Sequence, residues 1–340
     1  MPAAAKKLFP LTTISYLVIF ALNFNMATVR SIFPKSESGE LAAVNLFAGR
    51  VECARVSRNG AERPLVEFCS GHPYVGNEAE TLQRLRRELH LKRFRCSTVL
   101  PAQQYQLQLL DAPNVPDAEL KSAVRWKLKD FLEYPAESAT VDVVRVPADA
   151  GAPTRGRSVY AVSARNADIE ARMKLFAQAG IPLRVIEIPE MAQRNIATLL
   201  ETDNRALAML SFGEEGGLLT FSARGELYLS RRIDVSLEQL THAAGEMREQ
   251  MFERIALELQ RSLDHFDRQF SNVPVARVLL GTVPAEIGLT QYLAGNLSAQ
   301  VDSVDLGEVL DFHKVPELRE PGEQMQRWQT LGAALRSDPV

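Results

Sequence analysis

Twice in this chain, three strand-patterned runs joined by tight turns are followed by helix-patterned sequence. Leu41 to Phe47, Arg50 to Ser57 and Arg63 to Ser70 form the first set, turning at Ala48-Gly49 and Asn59-Gly60. Ala206 to Phe212, Leu218 to Ala223 and Leu227 to Ile233 form the second, turning at Gly213 to Gly217 and at Arg224-Gly225. Strands joined by such turns pair antiparallel, and helices after each meander must cover a sheet face. Two such units predict a duplicated α/β architecture rather than one doubly wound sheet. The length of 340 residues exceeds the usual single-domain size and suits two lobes.

The sequence between the meanders has helical and strand periodicities of its own. Glu78 to Leu89 places Leu82, Leu85 and Leu89 at helical spacing. Val99 to Leu110 is strand-like and interrupted by Pro101. A helix then opens near Pro116 with Asp117 and Glu119 at its positive end, and Leu120, Val124, Leu128 and Phe131 as its apolar stripe. Trp126 lies off the centre of that stripe and is expected to pack within the same unit. Thr140 to Val146 and Ser158 to Ala164 read as strands around a Gly- and Pro-rich loop, Ala148 to Arg157. Asn166 to Ala179 is a helix stopped at Gly180 with Ile181 and Pro182 beyond, the Schellman pattern. Leu183 to Ile188 is a strand, and Pro189 opens a helix reaching about Leu200. In the second half, Phe252, Ile255, Leu259, Leu263 and Phe266 form one face of a long helix. Val275 to Leu280 is a strand leading to Gly281-Thr282, followed by a helix from Gly288 to Leu297 and a strand from Val301 to Asp305. The end of the chain reads as a polar tail anchored by Trp328 and Leu331.

Composition excludes several functions. The formal net charge is −3 and no Lys/Arg block is interleaved with aromatics, which argues against nucleic-acid binding. Cys53, Cys69 and Cys96 are scattered without a C-x-x-C pair, so they read as core residues in a reducing compartment and not as a zinc or redox site. His72, His90, His242 and His313 are isolated, and His265 and Asp267 lie two apart on a helix, on different faces. Walker A, G-x-S-x-G, H-E-x-x-H and G-x-G-x-x-G patterns are all missing. Near the start, Lys6 and Lys7 precede an apolar run from Leu8 to Leu22, shorter than the roughly 18–20 residues that span a bilayer. Three readings stand for it: a start codon placed upstream of Met26, a short membrane anchor, or a signal peptide.

Three long segments carry a family resemblance. They are VLPAQQYQLQLLDAPNVPDAELKSAVRWKLKDFLEYPAESATVDVVRVP (99–147), LFAQAGIPLRVIEIPEMAQRN (175–195) and LELQRSLDHFDRQFSNVPVARVLLGTVPAEIGLTQYLAGNLSAQV (257–301). In this order they resemble the PilM family of actin-like pilus proteins and, within it, the MshI-like proteins of MSHA pilus biogenesis. The resemblance implies a two-lobed α/β fold of the actin-like ATPase (ASKHA) type with an inserted subdomain of the kind called 1C. It divides the chain into a leader (1–38), a first lobe (39–96 with 183–204), the insertion (97–182), a second lobe (205–234 with 275–312), a helical part of that lobe (235–274) and a polar tail (313–340).

Actin-like ATPases hold ATP between two hairpins and a Gly-Gly turn, with glycines letting backbone approach phosphate and an Asp on each hairpin serving Mg²⁺ or water. Here the first hairpin reads AAVNLFAGRVECARV, so the resemblance puts Asn45 and Phe47 where Asp and Gly are needed, with Gly49 at the turn. The second reads ALAMLSFGEEGGLLTF, putting Ser211 in place of Asp. It keeps Gly213 but adds Glu214 and Glu215, whose charge opposes an anionic ligand. The adenosine turn is Gly281-Thr282. These substitutions argue against ATP and Mg²⁺ as cofactors and imply a pseudo-ATPase. By resemblance, the expected role is a cytoplasmic scaffold at the inner membrane that docks the N-terminal tail of a PilN-like (MshJ-like) membrane protein. The docking groove would lie between the first lobe and its insertion, near residues 99–182. The alternatives are a weakly active ATPase of the same machinery and a cytoplasmic component of type II secretion.

Overall fold

The computed structural model describes residues 41–58, 62–148, 157–202, 204–284 and 287–337. The leader, the Asn59-Gly60 turn and most of the Ala148–Arg157 loop lie outside the described residues. Leu41–Phe47 (β1) returns into Arg50–Ser57 (β2) at Gly49, whose φ of 77° is left-handed backbone that a side chain resists. Leu65–Pro73 (β3) completes the meander, two residues later than the sequence pattern predicts. Glu78–Glu88 (α1) starts on a capping box between Asn77 and Glu80. Pro101 divides the next strand material into Arg95–Val99 (β4) and Tyr105–Asp111 (β5). Asp117–Lys127 (α2), Ala139–Arg145 (β6), Ser158–Arg165 (β7) and Asn166–Ala179 (α3) follow. At Gly180, with φ 68°, the Ile181 N–H reaches the Phe176 carbonyl and the Gly180 N–H the Ala177 carbonyl, closing the Schellman cap. Leu183–Glu187 (β8) and Pro189–Ala197 (α4) lead to the second half.

There, Ala206–Gly213 (β9), Gly216–Ala223 (β10) and Glu226–Ile233 (β11) repeat the meander. Leu237–His242 (α5), Gly245–Gln269 (α6), Val275–Leu280 (β12), Leu289–Asn296 (α7) and Val301–Ser303 (β13) follow. Two helices, Pro321–Gln326 (α8) and Trp328–Ala334 (α9), close the chain.

Duplication, suggested by element order alone, is plain in the sheets. One runs β3-β2-β1-β4-β8 and the other β11-β10-β9-β12-β13. In each, the meander is antiparallel and the last two strands join parallel to the meander's first strand. Between the halves of the first sheet, β5, β7 and β6 form a separate three-stranded antiparallel sheet. Leu120, Val124 and Leu128 of the α2 region cover that sheet together with Val141, Val143 and Val159. The insertion boundary at 97 needs correction, because it cuts β4, which pairs with β1 and β8 in the first lobe. Two aromatics also differ from expectation. The chain tightens into a 3₁₀ turn at Leu128–Asp130, which rotates Phe131 off the buried stripe. Phe131 is 51% exposed, and Trp126 is 71% exposed and does not pack inside the subdomain. The three cysteines are buried and unpaired, and burial pushes the Cys96 thiol up to about 12, as small core residues require.

The polar tail is the larger correction. Trp328, Leu331, Ala333, Ala334 and Leu335 are all buried, and α9 lies against β1, β2, β4 and α4. Small residues conceal this packing in the sequence. A Cβ built on Gly332 would lie 2.3 Å from the Ala192 carbonyl oxygen of α4, so the helices cross at backbone distance. Gly332→Val should therefore destabilise the fold by about 1–3 kcal/mol through overpacking, read as a lower midpoint in urea or thermal unfolding. An unchanged midpoint would mean that α9 does not dock this closely.

Candidate functional site

The two hairpins, β1–β2 and β9–β10, face each other across a cleft of about 840 Å³. Asn45, Phe47, Ser211 and Gly213 line it. Gly49, Gly281 and Thr282 are not among its lining residues. Gly281 lies close behind Ser211 and donates its N–H to the Leu210 carbonyl at 2.7 Å, and the Thr282 hydroxyl bonds the Val304 carbonyl at 3.2 Å.

Asn45 is fully committed to the fold. Its Oδ1 accepts the Val99 N–H at 2.9 Å and its Nδ2 donates to Thr330 Oγ1 at 3.1 Å. Thr330 in turn donates to Glu52 Oε2 at 2.7 Å, while Arg50 and Arg327 each hold Glu52 Oε1 at 2.9 Å. Asn45 thus anchors α9 beneath the first sheet. Ser211 is similarly occupied: its hydroxyl donates to Gln193 Oε1. The Gln193 amide nitrogen lies within 2.9–3.1 Å of Met209 O, Leu218 O and Thr220 Oγ1.

The acidic hairpin tip meets groups from outside its own lobe. Glu214 pairs with Arg50 at 2.7 Å, and Arg50 also lies over the Phe47 ring at 4.8 Å. Glu215 accepts the Ala102 N–H at 2.9 Å. The carboxylates at this tip thus bind a cation of the first hairpin, Arg50, and the N–H of Ala102. Of the glycines, Gly49 and Gly216 take left-handed φ, 77° and 112°. Gly213 does not, and nothing lies within 4 Å of a Cβ built there, so no steric need for glycine exists at that position.

A buried junction joins the insertion to both lobes. Glu190 of α4, 2% exposed, accepts from the Tyr105 hydroxyl at 2.6 Å and from Arg232 Nη2 at 2.9 Å. Arg232 also bonds the Tyr105 oxygen, and the Tyr160 hydroxyl oxygen accepts the Ser230 N–H at 3.1 Å. Burial, and then the neighbouring Glu190 charge, hold the Tyr105 phenol far above its usual range, so it stays a donor. From this junction the cleft continues between the first lobe, at Tyr74 and Glu78, and the insertion side, at Gln103, Gln104 and α3. Sequence reading missed this polar set because Glu190 and Gln193 look like the solvent face of an ordinary helix. A signal did exist for Arg50, a cation immediately after one hairpin turn opposite two carboxylates on the other. No group of three metal-ligating side chains occurs among the described residues.

The arrangement matches known structures. A chain of the PilM–PilN type IV pilus biogenesis complex aligns with a TM-score of 0.69 and 18% identity, over 88% of this chain and 99% of that one. The cytoplasmic domain of EpsL, an inner membrane component of the Vibrio cholerae type II secretion system, aligns with a TM-score of 0.46 and 11% identity, over 76% and 97%. A Bacteroides thetaiotaomicron protein of actin-like ATPase fold and unknown function aligns with a TM-score of 0.45 and 11% identity, over 83% and 96%. No family model and no curated protein matches the chain. With its duplicated sheets, facing hairpins and inserted subdomain, the chain has a two-lobed actin-like fold of the form found in the PilM–PilN complex.

A carboxylate at position 45 should harm this protein. Asn45→Asp would set an oxygen against Thr330 Oγ1, whose proton already goes to Glu52, and would add a second buried charge. The expected cost is roughly 2–3 kcal/mol of stability in urea unfolding, with no Mg²⁺ site gained by calorimetry. Wild-type stability in the variant would contradict the assignment of Asn45 to the fold.

Proposed function

We propose that this protein is a non-catalytic scaffold of a type IV pilus or related assembly machine, working in the cytoplasm at the inner membrane. It docks the extended N-terminal tail of a PilN-like membrane protein, and in the narrower reading it is the MshI-like component that serves an MshJ-like partner. The observation that carries this reading is the division of the cleft. Its hairpin end is occupied by the protein's own Arg50, Glu214 and Glu215, whereas the end between Tyr74–Glu78 and Gln103–Gln104 with α3 stays open. The first would repel phosphates, and the second has the mixed polarity that suits a peptide. No helix among the described residues is long and apolar enough to cross a membrane, and contact with the membrane through a partner agrees with that.

Isothermal calorimetry of the full chain tests both halves. A synthetic peptide copying the N-terminal tail of the PilN-like protein from the same genome should bind saturably, and Mg²⁺ with ATP or ADP should give no binding heat. Micromolar nucleotide binding would overturn the non-catalytic reading. A folded protein that ignores the peptide would overturn the scaffold reading.

A further inference from the structure

Arg172 lies on α3 in the open end of the cleft, and its side chain is buried to 8% exposure. Nη2 donates to Gln104 Oε1 at 3.2 Å, a neutral acceptor, while Nη1 is buried with no hydrogen-bond partner. No carboxylate lies within ion-pair distance of it among the described residues, although Glu78, Asp168 and Tyr74 bias its surroundings electrostatically. A guanidinium does not give up its proton in a protein, so burial cannot neutralise it. The charge is either tolerated at a cost or completed by an acceptor from outside.

The cleft restricts that acceptor. Glu78 and Asp168 stand on the same walls, and Glu214 and Glu215 hold the hairpin end, so a polyanion such as a nucleotide phosphate would meet several like charges. A single carboxylate brings less charge past these walls than a phosphate chain does. Leu100, Pro101 and Leu175 add apolar wall around the position. We propose that Arg172 is the position that recognises an acidic side chain on a docked extended peptide, by a charge-assisted hydrogen bond from Nη1 to a single carboxylate. This deepens the proposed scaffold function and rests on it for the identity of the peptide.

The test is a double-mutant cycle on the full chain by fluorescence anisotropy. The tail peptide is made with each Asp or Glu replaced in turn by Asn or Gln, and tested against wild type, Arg172→Gln and Arg172→Lys. One acidic position should lose about 10-fold or more in affinity on amide replacement with wild type and little with Arg172→Gln. Arg172→Lys should retain part of the preference. Equal losses against both proteins, at every acidic position, would overturn the assignment. A second measurement does not need the peptide: acetate and succinate should raise the melting temperature of wild type and not of Arg172→Gln. Phosphate acting more strongly than these carboxylates, or an equal shift in both proteins, would contradict the proposal. Peptide binding that fails while the carboxylate shift appears would overturn the scaffold reading and leave the anion site standing. Arg172→Gln itself should melt no lower than wild type, since it removes an unpaired buried cation, whereas a merely structural arginine would lower the midpoint.

Discussion

Helix α4 is buried along nearly its whole length, yet it carries Glu190, Gln193 and Asn195. A helix enclosed on all sides cannot present polar groups to water, so each of them needs a partner inside the protein. Here each finds a different part of the molecule. Glu190 reaches Tyr105 at the edge of the insertion and Arg232 of the second lobe, Gln193 reaches the carbonyls of the second sheet, and Asn195 donates to the Gly332 carbonyl of α9 at 2.9 Å. These bonds are made in a dry environment, where leaving one partner unmatched costs on the order of 1–3 kcal/mol. The relative placement of lobes, insertion and C-terminal helix is therefore fixed from a single element.

That origin explains what the sequence could and could not reveal. Patterns generated by neighbours in the chain were legible: the Gly49 hairpin, the Gly180 Schellman cap and the repetition of strand meanders. They depend on backbone conformation and on periods of two or 3.6, which a local reading detects. Contacts between distant segments were not. Nothing near Gly332 announces that it meets Ala192, because small residues lack the apolar signal that a stripe of leucines would give. Glu190 and Gln193 were hidden for the opposite reason, since polar residues on a helix suggest solvent. The site was legible only at its hairpins, where Asn45, Phe47, Ser211 and Gly213 do line the cleft. Gly49, Gly281 and Thr282 do not line it, and Arg172 is one of several charged residues on α3, with no local signal of its burial.

The hairpin tips and the buried junction differ greatly in strength, and the difference bears on how the lobes stay together. Arg50 and Glu214 keep 29% and 57% of their side-chain surface exposed, so their pair contributes less than about 1 kcal/mol and weakens with salt. Glu190 and Gln193 themselves are buried, so their contacts are screened less, although Arg232 keeps 34% of its side-chain surface exposed. Here a bridge of side chains is present at the tips, but the buried contacts of α4 hold the lobes without needing it. Loss of the Arg50–Glu214 pair would then leave the α4 contacts intact. Under the proposed scaffold function, the cleft takes an extended peptide along its open end, away from these bridges. It suits poorly a compact polyanion, which would have to displace Glu214 and Glu215 before reaching any donor.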